Sequence, residues 1–235
     1  MEPLRFLHIP KTAGTTLTFV LRRWYEGSPH FHFSGNVGED LKRYDALPDE
    51  VRKQIALFTG HAGIKTGIPA ADNIPIITLL REPVARVKSF CQHVSERKSP
   101  YLLYLFPPDA FDLDAFLCSD NGELSNLQTK LLLGRSIEGL SASEAVDIAL
   151  GNLLEKITCF GIQEHFDESL ALIAWTLGIK PPAYGSRNQR DPTRALRFDR
   201  SHLDKIIELN AIDLELYERA RQSFMQRTGL AACRT

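Results

Sequence analysis

The segment from Phe6 to Thr16 limits what this chain can fold into more than any other. Leu4 to His8 is an apolar run of strand length, and Leu17, Val20, Leu21 and Trp24 recur after it at helical spacing. Between the two, Pro10-Lys11-Thr12-Ala13-Gly14-Thr15-Thr16 forms a loop. A strand that turns through a short loop straight into a helix is the first half of a parallel β-α-β unit, so an α/β fold is expected.

Later segments repeat the alternation. Asp40 to Tyr44 and Pro48 to Ile55 read as short helices, and Leu57 to Thr59 as a brief strand ending at Gly60-His61. Ile74 to Leu80 is a continuous apolar run closed by Arg81, which suits a strand buried on both faces and predicts the centre of the sheet there. Glu82-Pro83 opens a helix, with Pro harmless in the first turn, Val84, Val87, Cys91 and Val94 inward, and Arg86, Ser89 and His93 on the other face. Tyr101 to Pro108 is aromatic and broken by proline, which predicts a loop at the border of a cleft. Helical spacing returns over Leu124 to Leu133, Ser141 to Leu154 and Phe166 to Leu177, with a β run at Thr158 to Ile162. Pro181 to Arg200 carries Arg187, Arg190, Arg194, Arg197 and Arg200 and reads as an exposed basic loop. Two helices close the chain, the second from Asn210, where Asp213 three residues on suggests an approximate capping box.

These elements predict one domain over residues 1–235, a P-loop-like three-layer αβα arrangement with a central parallel sheet flanked by helices. Ligands in such sheets sit at the carboxyl ends of the strands. A formal net charge of -1 supplies no global attraction to nucleic acid or to an anionic membrane. No run approaches the roughly 20 apolar residues of a membrane-spanning helix. The opening Met1-Glu2-Pro3-Leu4-Arg5 lacks the form of a signal peptide, so a cytoplasmic location is expected. Cys91, Cys118, Cys159 and Cys233 are scattered without a Cys-x-x-Cys pair, which predicts free thiols and no metal site.

The loop itself carries the chemistry. At a strand-to-helix junction successive backbone N–H groups and the helix dipole converge on an anion. Gly14 permits close backbone approach, Thr15 and Thr16 add hydroxyl donors, and Lys11 places a mobile cation beside a phosphate. An ordinary turn with an N-cap threonine is the competing reading. The lysine precedes the glycine, unlike the G-x-x-x-x-G-K-[ST] order of nucleoside triphosphatases, and the run from Ile74 ends in Arg81 where an aspartate would hold magnesium.

Phe6-Leu7-His8-Ile9-Pro10-Lys11-Thr12-Ala13-Gly14-Thr15-Thr16 resembles the 5′-phosphosulfate loop of sulfotransferases that use 3′-phosphoadenosine 5′-phosphosulfate, most closely the carbohydrate-type, family 2-like branch. Leu80-Arg81-Glu82-Pro83 through Ser89 is similar to that family's 3′-phosphate motif, which implies that Arg81 and Ser89 bind that phosphate. Weaker similarity continues through Asn126-Leu127-Gln128-Thr129-Lys130, through Phe160-Gly161-Ile162-Gln163-Glu164 and into Asn210 to Tyr217. The arginine-rich stretch with Asn188 resembles the late loop that folds over the nucleotide, although Arg190 stands where a small hydroxyl residue is more usual.

His61 is the candidate general base, because it follows a short strand whose end faces the same crevice and an imidazole takes a proton from a hydroxyl near neutral pH. The resemblance also places a catalytic histidine there. His8 is expected behind the loop in a structural role. The resulting expectation is in-line transfer of a sulfuryl group to an acceptor hydroxyl, with His61 as base, Lys11 stabilising the leaving phosphate, and no metal. The implied acceptor is a hydroxyl-bearing small molecule or glycan. A nucleotide-dependent small-molecule kinase and a non-catalytic nucleotide-binding module remain as alternatives at this stage.

Overall fold

The computed structural model describes residues 2–96, 111–180 and 195–230. The strands are β1 (Leu4–Leu7), β2 (His30–Phe33), β3 (Leu57–Gly60), β4 (Ile76–Leu80) and β5 (Cys159–Ile162). The helices are α1 (Gly14–Trp24), α2 (Val37–Asp45), α3 (Asp49–Gln54), α4 (Pro69–Asp72), α5 (Pro83–Ser95), α6 (Leu113–Leu117), α7 (Leu127–Leu133), α8 (Ala142–Glu155), α9 (Phe166–Thr176), α10 (Arg200–Leu209) and α11 (Ala211–Thr228).

The strands form one sheet in the order β2-β3-β1-β4-β5, and every pairing is parallel. Alternation along β1 sends Leu4 and Phe6 to one face and Leu7 to the other. The first face is covered by Leu17, Val20 and Leu21 of α1 with Leu170 and Ile173 of α9. The second is covered by Leu132 of α7, Ala149 and Leu153 of α8 and Phe224 of α11. In β4, Ile77 and Leu79 face α1 and α9, while Ile76 and Leu80 face the opposite layer. The architecture is the expected three-layer αβα sandwich around a parallel sheet.

The centre of the sheet differs from expectation. β1, not the run ending at Leu80, lies in the middle, because continuous apolarity reports burial on both faces and not rank within the sheet. Strand β2 was not foreseen. Its His-Phe-His-Phe alternation buries Phe31 and Phe33 and exposes both histidines, a signal too short to separate from loop.

Two local expectations also change. The polar face of α5 is covered: Arg86 is fully buried, donating from Nη2 to the Glu123 carbonyl at 2.8 Å, and Ser89 is only 6% exposed. Asp213 does not close a capping box on Asn210. Its carboxylate instead caps α7, accepting from the N–H groups of Gln128 (3.1 Å) and Thr129 (2.8 Å), while Asn126 Oδ1 accepts from Ile212 and Asp213 to cap α11. Each helix is capped by a residue at the other's N-terminus, a pairing that local sequence spacing does not reveal. Residues 97–110 and 181–194, with the expected cleft-border loop at Tyr101 to Pro108 and with Asn188, Arg187, Arg190 and Arg194, lie outside the described residues. Among the described residues no helix is long and apolar enough to cross a membrane, and no cluster of three or more His, Cys, Asp or Glu could hold a metal ion.

At Gly60 the chain has φ 126° and a Cβ would overlap the Phe33 backbone of β2. Both the dihedral and the contact demand glycine. Gly60→Ala is expected to lower stability by about 2–4 kcal/mol, read from the urea midpoint at unchanged m-value.

Candidate active site

The carboxyl ends of β1, β3 and β4 converge on one edge of the sheet. The β1–α1 loop reaches that edge with Lys11 at φ 70° and Ala13 at φ 62°, both left-handed and neither a glycine. Such residues cost about 1–2 kcal/mol each and persist only where the surroundings enforce them. Two hydrogen bonds do so. Thr12 Oγ1 donates to the Ile9 carbonyl at 2.8 Å, and Arg81 Nη1 donates to the Lys11 carbonyl at 2.9 Å. A charge-assisted bond contributes about 1.5–3 kcal/mol, enough to offset one strained residue.

The consequence is a row of consecutive amides left without a backbone acceptor. Among the described residues the N–H groups of Thr12, Ala13, Gly14 and Thr15 have no acceptor, and the first intrahelical bonds run from Thr16 and Leu17 to the Ala13 carbonyl. Ala13 caps α1 without a side-chain bond, and the first turn of α1 holds no acidic residue. Alternating right- and left-handed residues that lead into a helix N-terminus make an anion-binding nest. The Thr12 hydroxyl is committed to Ile9, so what Thr12 offers an anion is its backbone N–H. Thr15 is exposed and Thr16 is 7% exposed; among the described residues neither hydroxyl makes a hydrogen bond.

Gly14 has a role beyond the one expected. A Cβ there would overlap the imidazole of His8, so the glycine admits the histidine beneath the loop as well as exposing backbone above it. The His8 ring lies between Phe6, at 5.3 Å between centroids, and His61, at 4.5 Å. Burial, then the neighbouring His61, His32 and Lys11 charges, hold its pKa well below the ordinary histidine value. His8 is therefore a neutral packing element at physiological pH.

His61 follows Gly60 at the end of β3. Its N–H donates to the Phe33 carbonyl at 3.2 Å, and its Nδ1 lies 2.9 Å from the His8 carbonyl. A carbonyl can only accept, so Nδ1 carries the proton and the neutral ring keeps its lone pair on Nε2. Nε2 makes no hydrogen bond among the described residues. The chain just beyond is pinned by buried Arg5, which donates to the carbonyls of Gly63 and Ile64 and pairs with Asp72 at 3.0 Å. Burial lowers the Arg5 pKa to about 10, which leaves it cationic at neutral pH. Asp72 is thus engaged by Arg5.

Arg81 stands at the end of β4 and joins its guanidinium to the nest through Lys11. Its own peptide is gripped by the amide of Gln128, whose Oε1 accepts from the Arg81 N–H at 3.0 Å and whose Nε2 donates to the Arg81 carbonyl at 2.8 Å. Glu164 Oε1 accepts from the next N–H, that of Glu82, at 3.1 Å. Glu82 caps α5 through the N–H groups of Val84 and Ala85. Ser89 lies two turns along α5, and its hydroxyl makes no hydrogen bond among the described residues. Gln128 and Glu164 received no role from sequence, although both fall within the stretches of weaker resemblance. Neither stands out locally, because Gln128 has Asn126, Thr129 and Lys130 beside it and Glu164 has Gln163 and His165.

No family model and no curated protein matches the sequence. Among solved structures the chain is similar to mouse sulfotransferase SULT7A1 complexed with PAP, at 17% identity and a TM-score of 0.45 over 88% of this chain. It is also similar to a sulfotransferase from Alicyclobacillus acidocaldarius, at 14% identity and a TM-score of 0.44, over 83% of this chain and 88% of that one. The chain spans 63% of the mouse protein.

The His8–Gly14 contact predicts a compensating pair. Gly14→Ala is expected to destabilise by about 2–3 kcal/mol, and His8→Ala in the same chain to restore at least half of that loss, measured as a double-mutant cycle in urea. A pH dependence follows as well. The unfolded chain protonates His8 near the ordinary value of about 6.5, whereas the folded chain resists protonation until far lower pH. The unfolded state therefore binds more protons below that value, and stability falls as the pH drops from about 6.5 towards the lowered folded value. His8→Ala should flatten the fall in the urea midpoint between about pH 7 and 5 relative to the parent chain.

Proposed function

We propose that the protein is a sulfotransferase that moves a sulfuryl group from 3′-phosphoadenosine 5′-phosphosulfate to an acceptor hydroxyl. The observation that carries this reading is the amide nest at Thr12 to Thr15, set beside a histidine whose Nδ1 proton is fixed on the His8 carbonyl. The nest fits the 5′ side of the donor, because an anion there accepts from the N–H groups of Thr12, Ala13, Gly14 and Thr15, with the hydroxyls of Thr15 and Thr16 at hand. Arg81 and Ser89 are assigned to the 3′-phosphate. That assignment, and the inclusion of Asn188, rest on the resemblance of their sequence motifs.

His61 then takes the proton of the acceptor hydroxyl at Nε2, the nitrogen its tautomer leaves basic. The acceptor oxygen bonds to sulfur as the bond from sulfur to the 5′-phosphate oxygen breaks. Lys11 and the nest amides hold the charge that grows on that oxygen, in a preorganised arrangement that needs no rearrangement during reaction. The acceptor class is a carbohydrate or glycoconjugate hydroxyl, in keeping with the branch of the family that the loop resembles.

Adenosine 3′,5′-bisphosphate at about a hundred times its dissociation constant should raise the melting temperature by about 5–10 °C, while adenosine triphosphate with magnesium should not. The reverse order would replace this reading with a kinase. Lys11→Ala and His61→Ala should each reduce sulfation from radiolabelled donor by about a hundredfold or more, with the far-ultraviolet dichroism unchanged. Near-normal turnover by His61→Ala would remove it as base. Donor binding with no sulfation across a broad hydroxyl panel would leave a binding module.

A further inference from the structure

The β4–α5 turn is held by more bonds than a turn requires. Its three consecutive backbone polar groups, the Arg81 N–H, the Arg81 carbonyl and the Glu82 N–H, all end on side chains from elsewhere in the chain: Gln128 takes the first two and Glu164 the third. A solvent-facing turn would leave such groups to water. Gln128 is 1% exposed and spends both ends of its amide on the backbone of this one residue.

Both holding side chains are themselves held from α11. Asp213 accepts from the N–H of Gln128, and from the N–H (2.8 Å) and hydroxyl (2.7 Å) of Thr129, which fixes the first turn of α7 and hence the root of Gln128. One helical turn later, Tyr217 donates its hydroxyl to Glu164 Oε2 at 2.9 Å. Residues i and i+4 share a helix face, so a single face of α11 supports both grips on the turn. Asn126, itself at φ 43°, closes the circuit by capping α11, and its N–H donates to Asn210 Oδ1 at 3.1 Å. Every link is a hydrogen bond between groups separated by about fifty to ninety residues, where packing alone would not demand polar atoms.

We infer that Gln128, with Glu164 beside it, is a positioning residue: it fixes the Arg81 peptide so that the guanidinium is preorganised for the donor's bisphosphate, and α11 is the anchor that sets this geometry. The inference rests on the sulfotransferase reading and deepens it by naming what aims its arginine. A guanidinium at the end of a flexible stem gains affinity when its base does not move. Arg81 also bonds the Lys11 carbonyl, so the same grip steadies the nest.

The test is a double-mutant cycle on the full chain, with adenosine 3′,5′-bisphosphate and adenosine 5′-phosphate as titrants in calorimetry. Gln128→Leu should weaken the bisphosphate about tenfold in the parent chain, and by less than about twofold when Arg81 is already Ala. A purely structural effect would weaken binding equally in both backgrounds, and such additivity overturns the positioning role, as does unchanged affinity in Gln128→Leu. Should Gln128→Leu not fold, Tyr217→Phe removes only the hydroxyl that holds Glu164. It should cost about threefold in the parent chain and nothing further beside Arg81→Ala; additivity there overturns the inference equally. A parent chain that binds the bisphosphate no better than the 5′-phosphate refutes the donor assignment itself. A parent that prefers the bisphosphate while the two variants add refutes the positioning role alone.

Discussion

The left-handed backbone at Lys11 and Ala13 is the constraint around which the rest of this edge of the sheet is organised. Neither residue is a glycine, so the conformation has to be imposed. The imposing groups come from three directions: the Thr12 hydroxyl pulls the loop back onto Ile9, the Arg81 guanidinium holds the Lys11 carbonyl, and the His8 ring fills the space beneath Gly14. Turning the Lys11 carbonyl toward Arg81 matters as much as turning the amides outward. A carbonyl facing the same point as the amides would repel the anion that they attract.

Much of this was legible in the sequence. The β1–α1 loop, Arg81 at a strand end and His61 after a glycine stand where strand, loop and helix patterns placed them, because short apolar runs bounded by turn residues are strong local signals. The sandwich architecture followed from the alternation. Long-range polar pairing was not legible. Asp213 looks like a local cap from its spacing, yet it serves a helix more than eighty residues away, and Asn126 answers for it. Side-chain oxygens three residues into a helix can cap their own terminus or another's with equal chemistry, and only the tertiary fold selects between them. Strand β2 failed for the opposite reason. Its four residues carry too little periodicity, and its placement follows from pairing with β3 and from the packing of Phe31 and Phe33 against Phe58.

Gly14 shows how a correct residue can carry an incomplete reason. From sequence, a glycine in a loop of this kind exposes backbone to an anion. In the structure its missing Cβ also makes room for His8, so the residue serves the loop from below and from above. The two demands reinforce one another, since a ring packed tightly beneath the helix N-terminus prevents the nest from relaxing into an ordinary first turn.

The relation between the nest and His61 is a matter of sheet register. Leu7 pairs with Gly60 across β1 and β3, and the residues immediately after them, His8 and His61, are joined by the bond from imidazole Nδ1 to backbone carbonyl. The nest begins at Thr12, four residues beyond the His8 carbonyl, in the loop that follows β1. The placement of the nest relative to the His61 ring therefore depends on two parallel strands, one hydrogen bond and the short stretch of loop from Ile9 to Lys11. A one-residue slip of β3 against β1 would carry His61 to the other face and break the tautomer-fixing bond at the same time. That slip is opposed by the double burial of both strands and by Gly60, whose φ and contact with Phe33 admit no side chain at that position. Geometry that depends on register in a doubly buried sheet is insensitive to changes in the surrounding loops.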